Sequence, residues 1–362
     1  MMRCPVHRLS AALVLLPALL YGALTAFATG AARAAEATAR EPHVALILPL
    51  SSPSFSRHAD AVRQGFTAAA RTAGKNVPPI RIYSVNEDTL DVLTTYERAV
   101  ESGAQLVVGP LMRNGVAALA ASNLVTVPTL ALNTLEPRSP QPARMYLFGL
   151  AIELEARQIA QLAFGDGRRN AFVVSDDTPL GKRMRHAFVE EFARHGGITV
   201  AEFGFGADQT SLSKLRQAST LGVADMAFLA LDFTRARTVR PYLGNTLALY
   251  ATSQVNAGGG PLAAHELNLV RFVDMPWLLQ ADHPAVMVYP RPQFGDAIDF
   301  DRLYALGIDA FRLGLELLRR NPDPVLDGVT GCIRLTRDQQ FVRELTAAQY
   351  VDGKTVVPGE SR

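Results

Sequence analysis

The residues best suited to chemistry in this sequence follow short apolar runs that have the composition of buried β-strands. In an open α/β sheet, ligands bind beyond the carboxyl ends of the strands, where loops and helix N-termini present unpaired backbone N–H groups. In the first half of the chain this rule selects Ser51, Ser52, Leu111, Met112, Asn133 and Thr134. In the second half it selects Asp176, Asp177, Thr178, Asp232, Thr252, Ser253 and Gln254.

Several of these side chains have a second interpretation, as caps of the helices that follow them. Ser, Thr, Asp and Asn are preferred at helix N-caps, where a side-chain oxygen accepts a hydrogen bond from the first turn. Asp177 or Thr178 would cap a helix that includes Leu180, and Asp232 would cap one that includes Thr234. The sequence leaves open whether these residues only cap helices or also contact a ligand.

Catalytic patterns are missing from the sequence. Asp176 and Asp177 are adjacent in a strand exit, so their carboxylates should point apart and are not expected to share a proton. The seven histidines form no H-E-x-x-H motif, and no G-x-S-x-G elbow is present. Cys332 also lacks the local signature of a nucleophile. We therefore predict a protein that is not an enzyme and that needs neither a cofactor nor a metal.

The N-terminal residues have the pattern of a secretory signal peptide. Arg3 and Arg8 precede an uncharged apolar run over residues 9–24, and Ala32-Arg33-Ala34 forms an A-x-A cleavage site. The run is shorter than the roughly 20 residues of a bilayer span, which disfavours the alternative of an uncleaved anchor. The sequence predicts that residues 1–34 are removed and that the mature chain is periplasmic.

Cysteine content, length and charge narrow the class of protein further. Cys4 precedes the apolar run, so it does not stand where a lipid-attachment cysteine would, and Cys332 alone remains in the mature chain. No internal disulfide can form, and a buried inert thiol is favoured over pairing with another chain.

The mature length indicates two lobes. The net charge of +2 is without a dense basic run, so nucleic acid is not an expected partner.

From His43 onward, strand-like runs alternate with amphipathic helical segments, which indicates parallel sheets covered by helices. The strand-like runs are 44–50, 80–84, 106–109, 127–132, 146–150, 171–175, 199–203, 226–230, 247–251 and 269–273. The first four are predicted to be buried on both faces, because their residues are apolar at consecutive positions. The strongest helical pattern, Leu303 to Leu317, comes late and is expected to pack back on the first lobe.

These segments predict an α/β fold of two Rossmann-like lobes joined by a hinge, with a cleft between them. The first lobe is assigned to residues 43–145 and 278–362, and the second lobe to residues 146–277. Trp277, the only tryptophan, is a further candidate for the cleft wall or for a partner contact, because aromatic residues dominate such contacts. Packing in the core is the alternative for this side chain.

Three strings resemble the type I periplasmic binding proteins, namely Val44–Leu50 with Gln64-Gly65-Phe66, then Gly103–Leu111, then Pro128–Asn133. Within that superfamily, the chain resembles most the C-terminal domain of the penicillin-binding-protein activators, the LppC or LpoA lipoproteins. The strings that carry this resemblance are Phe148–Leu150 with Glu155–Ala160, Phe272–Trp277, Leu326–Gly331 and Gln349–Gly353. Enterobacterial members also have an N-terminal helical-repeat domain and a lipidated cysteine, which have no counterpart here.

The resemblance implies a role for some of the candidate residues. Superfamily members that bind amino acids hold the carboxylate with hydroxyls and amides of the first lobe, and the ammonium with an acid of the second. Ser51, Asn133 and Thr134 are the matching donors, and Asp176 or Asp232 is the matching acid. Leu111 and Met112 depart from the small hydroxyl residues that such binders carry after the Gly-Pro pair.

The resemblance also implies a function. It predicts a non-catalytic periplasmic regulator of peptidoglycan synthesis that contacts a bifunctional penicillin-binding protein and that has a possible small polar ligand in its cleft. The alternative is a solute-binding protein that delivers an amino acid or a similar polar metabolite to an ABC importer.

Overall fold

The chain folds into two sheets with parallel strands at their centres, flanked by helices, and a smaller antiparallel sheet. The structure, a computed structural model, describes residues 40–74, 77–206, 209–257, 260–295 and 297–359. The predicted signal peptide, residues 1–34, lies outside them. Within the described ranges, no helix combines the length and apolarity that a membrane span requires. The α/β class predicted from the alternating segments is confirmed.

The first sheet has five parallel strands in the order β2-β1-β3-β4-β5. These strands are β1 (His43–Leu48), β2 (Ile80–Ser84), β3 (Ala104–Val108), β4 (Thr129–Ala131) and β5 (Met145–Leu147). The helices that connect β1 to β4 are α1 (Ser56–Ala73), α2 (Thr89–Glu101) and α3 (Arg113–Ala120). Strand β1 lies near the centre and is buried at every residue, as its apolar sequence predicts.

Strand β2 corrects one of the predictions. Residues 80–84 were expected to be buried on both faces, but β2 is the edge strand of the sheet and has a single partner, β1. Ile82 is accordingly 45% exposed. An apolar run alone does not distinguish a central strand from an edge strand, because that depends on which strands pair.

The second sheet has seven strands in the order β15-β14-β10-β9-β8-β6-β7. Its strands are β6 (Asn170–Asp176), β7 (Ile198–Phe205), β8 (Met226–Ala230), β9 (Ala248–Ala251), β10 (Arg271–Asp274), β14 (Thr346–Val351) and β15 (Lys354–Val356). The helices around it are α4 (Ile152–Gly165), α5 (Pro179–Arg194), α6 (Gln209–Ser219), α7 (Phe233–Val239) and α8 (Gly260–His265), with 3₁₀ turns at Arg240–Tyr242 and Ser253–Val255.

The strand pairing corrects the predicted lobe boundaries at two places. Residues 278–362 were assigned to the first lobe, but β14 pairs with β10 in antiparallel orientation and β15 extends that sheet. The tail therefore belongs to the second sheet, where it covers what would otherwise be an open edge beside β10. The predicted boundary at 145/146 also divides β5, whose three residues all pair with β4 in the first sheet.

A small antiparallel sheet follows the long helix, in a region where the sequence analysis assigned no strands. It contains β11 (Val325–Gly328), β12 (Gly331–Leu335) and β13 (Phe341–Glu344). Two short helices, α9 (Pro276–Leu279) and α10 (Pro284–Met287), precede the long helix in sequence. Leu147 of the first sheet forms an isolated bridge with Gln340, so the small sheet is in contact with β5.

Helix α11 (Ile298–Leu318) packs along α1 on the first sheet, as its apolar stripe predicts. Two glycines allow the backbones of the two helices to approach closely. A Cβ on Gly307 would lie 2.1 Å from the carbonyl oxygen of Val62, and a Cβ on Gly65 would lie 1.9 Å from that of Tyr304. The helices can adopt this packing only because both positions lack a side chain.

The substitution Gly307→Ala should therefore destabilise the protein by about 1–3 kcal/mol or more, because the added methyl group forces the two helices apart. The measurement is the free energy of unfolding in urea. Gly165→Ala is the matched control, since a Cβ at this helix end meets no atom within 4 Å. Equal stability of the Gly307→Ala variant and the wild type would contradict the close packing of α1 and α11.

Candidate functional site

The hydroxyls predicted to bind a ligand in the first lobe are engaged within the protein. Ser51 Oγ lies 2.6 Å from Ser84 Oγ, so these two side chains pair across neighbouring strand ends. Ser52 is buried; its hydroxyl donates to the carboxylate of Glu87 and accepts from the backbone N–H of Phe55 at 2.9 Å. Hydrogen bonding by Ser52 lowers the pKa of Glu87. Both serines thus stabilise the loop after β1.

Asn133 and its neighbours hold the loop after β4 against the loop after β3. The amide of Asn133 donates from Nδ2 to the carbonyl of Leu111 at 2.9 Å and accepts at Oδ1 from the N–H of Thr134 at 2.9 Å. Met112 is the N-cap of α3 but provides no side-chain hydrogen bond. The structure therefore brings Leu111, Asn133 and Thr134 together, as predicted from the strand ends.

The capping interpretation holds for the residues that follow β6. Thr178, not Asp177, is the N-cap of α5, and its hydroxyl oxygen accepts from the N–H of Gly181 at 3.0 Å. Asp176 is buried and accepts from both the N–H and the hydroxyl of Thr178. Asp177 is exposed and lies 3.9 Å from Lys182. The two adjacent carboxylates have separate partners, as expected from their opposite directions in the strand exit.

A residue that the sequence analysis did not select, Arg235, neutralises the acids of the second lobe. Asp232 is the N-cap of α7 and accepts from the N–H of Arg235 at 2.8 Å. The Arg235 guanidinium also pairs with the Asp232 carboxylate and lies 3.5 Å from Oδ2 of Asp176. Both acids that were candidates for binding a ligand ammonium therefore share one internal cation. The i, i+3 spacing of Asp232 and Arg235 was the available signal.

The loop after β9 is buried and turns inward. Thr252 Oγ1 donates to the sulfur of Met184 at 3.3 Å and accepts from the N–H of Gln254 at 3.4 Å. The N–H of Ser253 donates to Oε2 of Glu155 at 3.1 Å. These contacts orient the loop toward the helices of the second sheet, and the side chain of Thr252 is completely buried.

Trp277 packs in the core, which excludes it as an exposed wall of the cleft. Its side chain is 0% exposed, and its indole Nε1 donates to Asp301 Oδ1 at 3.3 Å. The guanidinium of Arg291 lies over the ring, 4.0 Å from its centroid. Its size made it a candidate for a binding contact, but the same size makes it a large contributor to core burial.

We call the rim the region where the loops and helix starts after the strand ends of the two lobes meet. An ion pair in the rim joins one lobe to the other. Glu153, at the start of α4, lies 3.7 Å from Arg113 of α3 and 3.1 Å from Arg183 of α5. Arg113 belongs to the first lobe, whereas Arg183 belongs to the second. Arg113 also pairs with Glu136 at 2.9 Å and donates to Thr134 Oγ1 at 3.4 Å. One carboxylate thus joins two arginines across the rim, next to a predicted site residue.

A buried ionic network joins the returning helix α11 to the second sheet. Arg302 donates from Nη2 to the carboxylate of Asp274 at 2.8 Å and to the carbonyls of Ser253 and Asn256 at 3.0 and 2.9 Å. Asn256 in turn donates to Asp274 at 2.9 Å. Burial acts to lower the pKa of Arg302, but the surrounding carboxylates outweigh it and raise that pKa above its usual value. The guanidinium is therefore permanently charged.

A second buried pair extends this network toward the small sheet. Arg343 and Glu155 are both buried, with 3.7 Å between Nη2 and Oε1. Burial raises the pKa of Glu155, which the charge of Arg343 opposes only in part. Asp309 is also buried; it accepts from the hydroxyl and the N–H of Thr330, and burial raises its pKa. Neither the pair of Arg343 with Glu155 nor the contact of Asp309 with Thr330 was found from the sequence, because the partners are far apart along the chain.

The described residues contain no group of three or more His, Cys, Asp or Glu side chains that could hold a metal ion. Cys332 is partly buried in β12 and is a free thiol. The buried carboxylates of Asp176, Asp274 and Glu155 each lie within 4.0 Å of an arginine. What the arrangement offers is a set of fixed contacts between two lobes.

The family model described as "LppC putative lipoprotein" matches residues 35–353. The chain belongs to the LppC family. Curated relatives include "Penicillin-binding protein activator LpoA" of Pantoea ananatis, which is 28% identical over 86% of this chain and 53% of the relative. The protein of the same name from Yersinia pseudotuberculosis is 27% identical over 86% of this chain and 60% of the relative. This LppC chain therefore spans a little over half the length of these relatives.

Solved structures place the fold among periplasmic binding proteins. The C-domain of LpoA from Haemophilus influenzae, described as a regulator of PBP1A, has a TM-score of 0.74 at 24% identity and covers 87% of this chain and 99% of that domain. A "putative branched-chain amino acid ABC transporter" from Chromobacterium violaceum has a TM-score of 0.74 at 38% identity and covers 86% of this chain and 100% of that chain. The predicted superfamily and family are both confirmed.

Replacing Glu153 by Gln should favour separation of the lobes, because the carboxylate is the group that attracts arginines from both sides. Partly exposed pairs of this kind contribute about 0.2–1 kcal/mol, so the ratio of closed to open molecules should fall by up to about fivefold. Spin labels at Glu97→Cys and His186→Cys, in a Cys332→Ser background, would report the distance between the lobes. Glu136→Gln is the control, because Glu136 pairs with Arg113 within the first lobe. An identical distance distribution for both variants would mean that Glu153 does not hold the lobes together.

Substitution of Arg302 by Met should destabilise the protein by about 3–5 kcal/mol, because Asp274 would remain as a buried charge without its partner. The control is Arg319→Met at the C-cap of the same helix, because the Arg319 side chain is 67% exposed and its pair with Glu316 should be worth at most about 1 kcal/mol. Denaturant unfolding measures both changes. A loss of similar size in the two variants would mean that the buried pair does not carry the expected energy.

Proposed function

We propose that this protein regulates peptidoglycan synthesis by contact with a bifunctional penicillin-binding protein. The observation that carries the proposal is membership of the LppC family over residues 35–353, together with relatives that are named penicillin-binding protein activators. The residues matched include both sheets and the returning helix, so the proposal concerns a domain that corresponds to the LpoA C-domain.

The geometry of the rim supports a protein contact over capture of a small amino acid. An amino-acid site needs an acid that is free to bind the ammonium. Asp176 and Asp232 instead share Arg235, and Asn133 is bonded to its own loop. The polar groups at the carboxyl ends of the strands therefore stabilise the loops, and the surface of these loops is available to a partner.

The proposed mechanism is non-catalytic. One lobe presents its surface to the synthase, and the relative position of the lobes sets the geometry of that surface. The partner would stabilise whichever arrangement of the rim ion pair it binds more tightly, since a ligand shifts a conformational equilibrium only through its different affinity for the two states. Export by the predicted signal peptide would place the protein in the periplasm, where the substrate of the synthase is polymerised.

The test is reconstitution of the mature chain with the bifunctional penicillin-binding proteins of the same organism. We expect the protein to co-purify with one of them and to increase its rate of glycan polymerisation or peptide cross-linking several-fold. A protein denatured by heat serves as the control. Absence of both binding and stimulation for every such synthase would contradict the proposal.

The importer alternative has its own measurement. If leucine, isoleucine, valine or another small metabolite binds the cleft, it should raise the melting temperature, because a ligand at about 100 times its Kd stabilises the native state by about 2.7 kcal/mol. Under the regulator proposal, none of these compounds changes the melting temperature. A clear increase that is lost on replacing Asp176 by Asn would favour a solute-binding protein instead.

A further inference from the structure

The second lobe contains a cationic cavity at the opposite end of its sheet from the rim. The cavity has a volume of about 610 Å³ and lies where strands β9 and β10 begin, whereas Asp176, Asp232 and Thr252 follow strand ends. Its floor is the start of β9, from Ala248 to Tyr250. Because these strands are parallel, they all start on the side of the cavity and end on the side of the rim, so the cavity and the rim lie at opposite ends of the strands.

Three arginines line this cavity, namely Arg168, Arg240 and Arg271. Arg271 pairs with the carboxylate of Asp166, which also accepts from the hydroxyl of Tyr250 at 2.7 Å. Neither Arg168 nor Arg240 has a carboxylate partner within 4.0 Å among the residues that the structure describes. Among the described residues that line the cavity, the arginines therefore outnumber the carboxylates that pair with them, and the lining is cationic.

The guanidinium groups of Arg168 and Arg240 retain unused hydrogen-bonding capacity inside the protein. The Nε of each is buried and makes no hydrogen bond, while Arg240 donates from Nη1 to the carbonyl of Gly244 at 2.8 Å. Burial lowers the pKa of Arg240, and no acid offsets this effect. These Nε atoms are shielded from the cavity, so a bound anion would be contacted through the terminal guanidinium nitrogens, and its charge would offset the cost of holding two partly buried cations together.

The carboxylates close to this end of the sheet are already engaged. Asp225, just before β8, accepts from the backbone N–H groups of Arg169 and Asn170 at 2.9 and 3.2 Å. Asp166 is committed to Arg271 and Tyr250. Among the residues that the structure describes, no carboxylate is therefore left to compensate these two guanidinium groups, so an acceptor for them would have to be anionic.

We propose that this cavity binds a phosphate group, with Arg168 and Arg240 as its principal donors. Paired guanidinium groups match the oxygens of phosphate in geometry and charge. Gln349 and Thr246 line the same cavity and supply neutral donors for the ester oxygens or hydroxyls next to the phosphate. The phosphate can be free or can be carried by the headgroup of an anionic lipid. This site is independent of the proposed contact with a synthase.

The test compares two probes on the mature full chain. Calorimetric titration with inorganic phosphate measures the free ion, and co-sedimentation with phosphatidylglycerol vesicles, set against phosphatidylcholine vesicles, measures the headgroup. Binding of either probe supports the site if the variant Arg168→Gln/Arg240→Gln weakens it at least tenfold, because each charge-assisted hydrogen bond accounts for about that factor. If both probes bind the wild type and the Gln variant weakens the binding of both, the site is supported equally.

Two controls separate binding from folding. Arg320→Gln removes an exposed arginine at the end of α11 and should leave the affinity unchanged. Arg168→Lys/Arg240→Lys keeps the charge without the planar fork, so it should fold as the wild type and bind with intermediate affinity. Circular dichroism and the melting temperature verify that each variant is folded. The proposal is overturned if neither probe binds, or if the Gln variant is folded and binds as tightly as the wild type.

Discussion

The relative position of the two lobes depends on Arg302, which is buried between the first sheet's returning helix and the loops of the second sheet. The arginine is on α11, which packs on the first sheet, yet its guanidinium is bound to Asp274 and to two carbonyls of the second. Burial of a charged pair is costly unless several hydrogen bonds compensate for it. Here one nitrogen contacts three oxygens, while Nε remains unpaired. The network fixes where the second sheet lies on the returning helix.

The buried network and the rim hold the two lobes together with different strengths. Arg302 and Asp274 are 9% and 2% exposed, so solvent screens their attraction very little. Glu153 and Arg113 are several times more exposed, and such pairs break and form at small cost. With the predicted hinge, the weak outer contact would open while the buried joint holds. For a regulator that acts through contact, a hinge of this kind converts binding at the rim into a change in the position of a lobe.

Local patterns predicted the parallel strands of both large sheets, the buried face of α1 and the caps of α5 and α7, because these features depend on residues within a few positions of one another. They could not predict that β14 would pair with β10, since such a pairing depends on which strand edge is left open. The role of Trp277 could not be decided for a similar reason. A tryptophan suits the core as well as a binding surface, and only the packing around it distinguishes the two. Arg235 was overlooked because the candidate residues were chosen at strand ends, whereas its guanidinium reaches them from inside a helix.

The distribution of charge differs from what this fold suggests by default. Ligands of α/β sheets bind beyond the carboxyl ends of the strands, since helix N-termini meet there. In this chain the polar groups at those ends have partners within the protein. Asp176 and Asp232 share Arg235, and the hydroxyl of Thr178 caps a helix. Arg168 and Arg240, which have no carboxylate partner among the described residues, lie instead at the opposite ends of the strands, around the start of β9. A fold does not determine function, and arginines that line a cavity without a carboxylate partner are a more direct guide to where an anion binds than the position of strand ends. That argument holds at either end of the strands, because the charge of a cavity depends on the side chains that line it and not on the topology of the sheet.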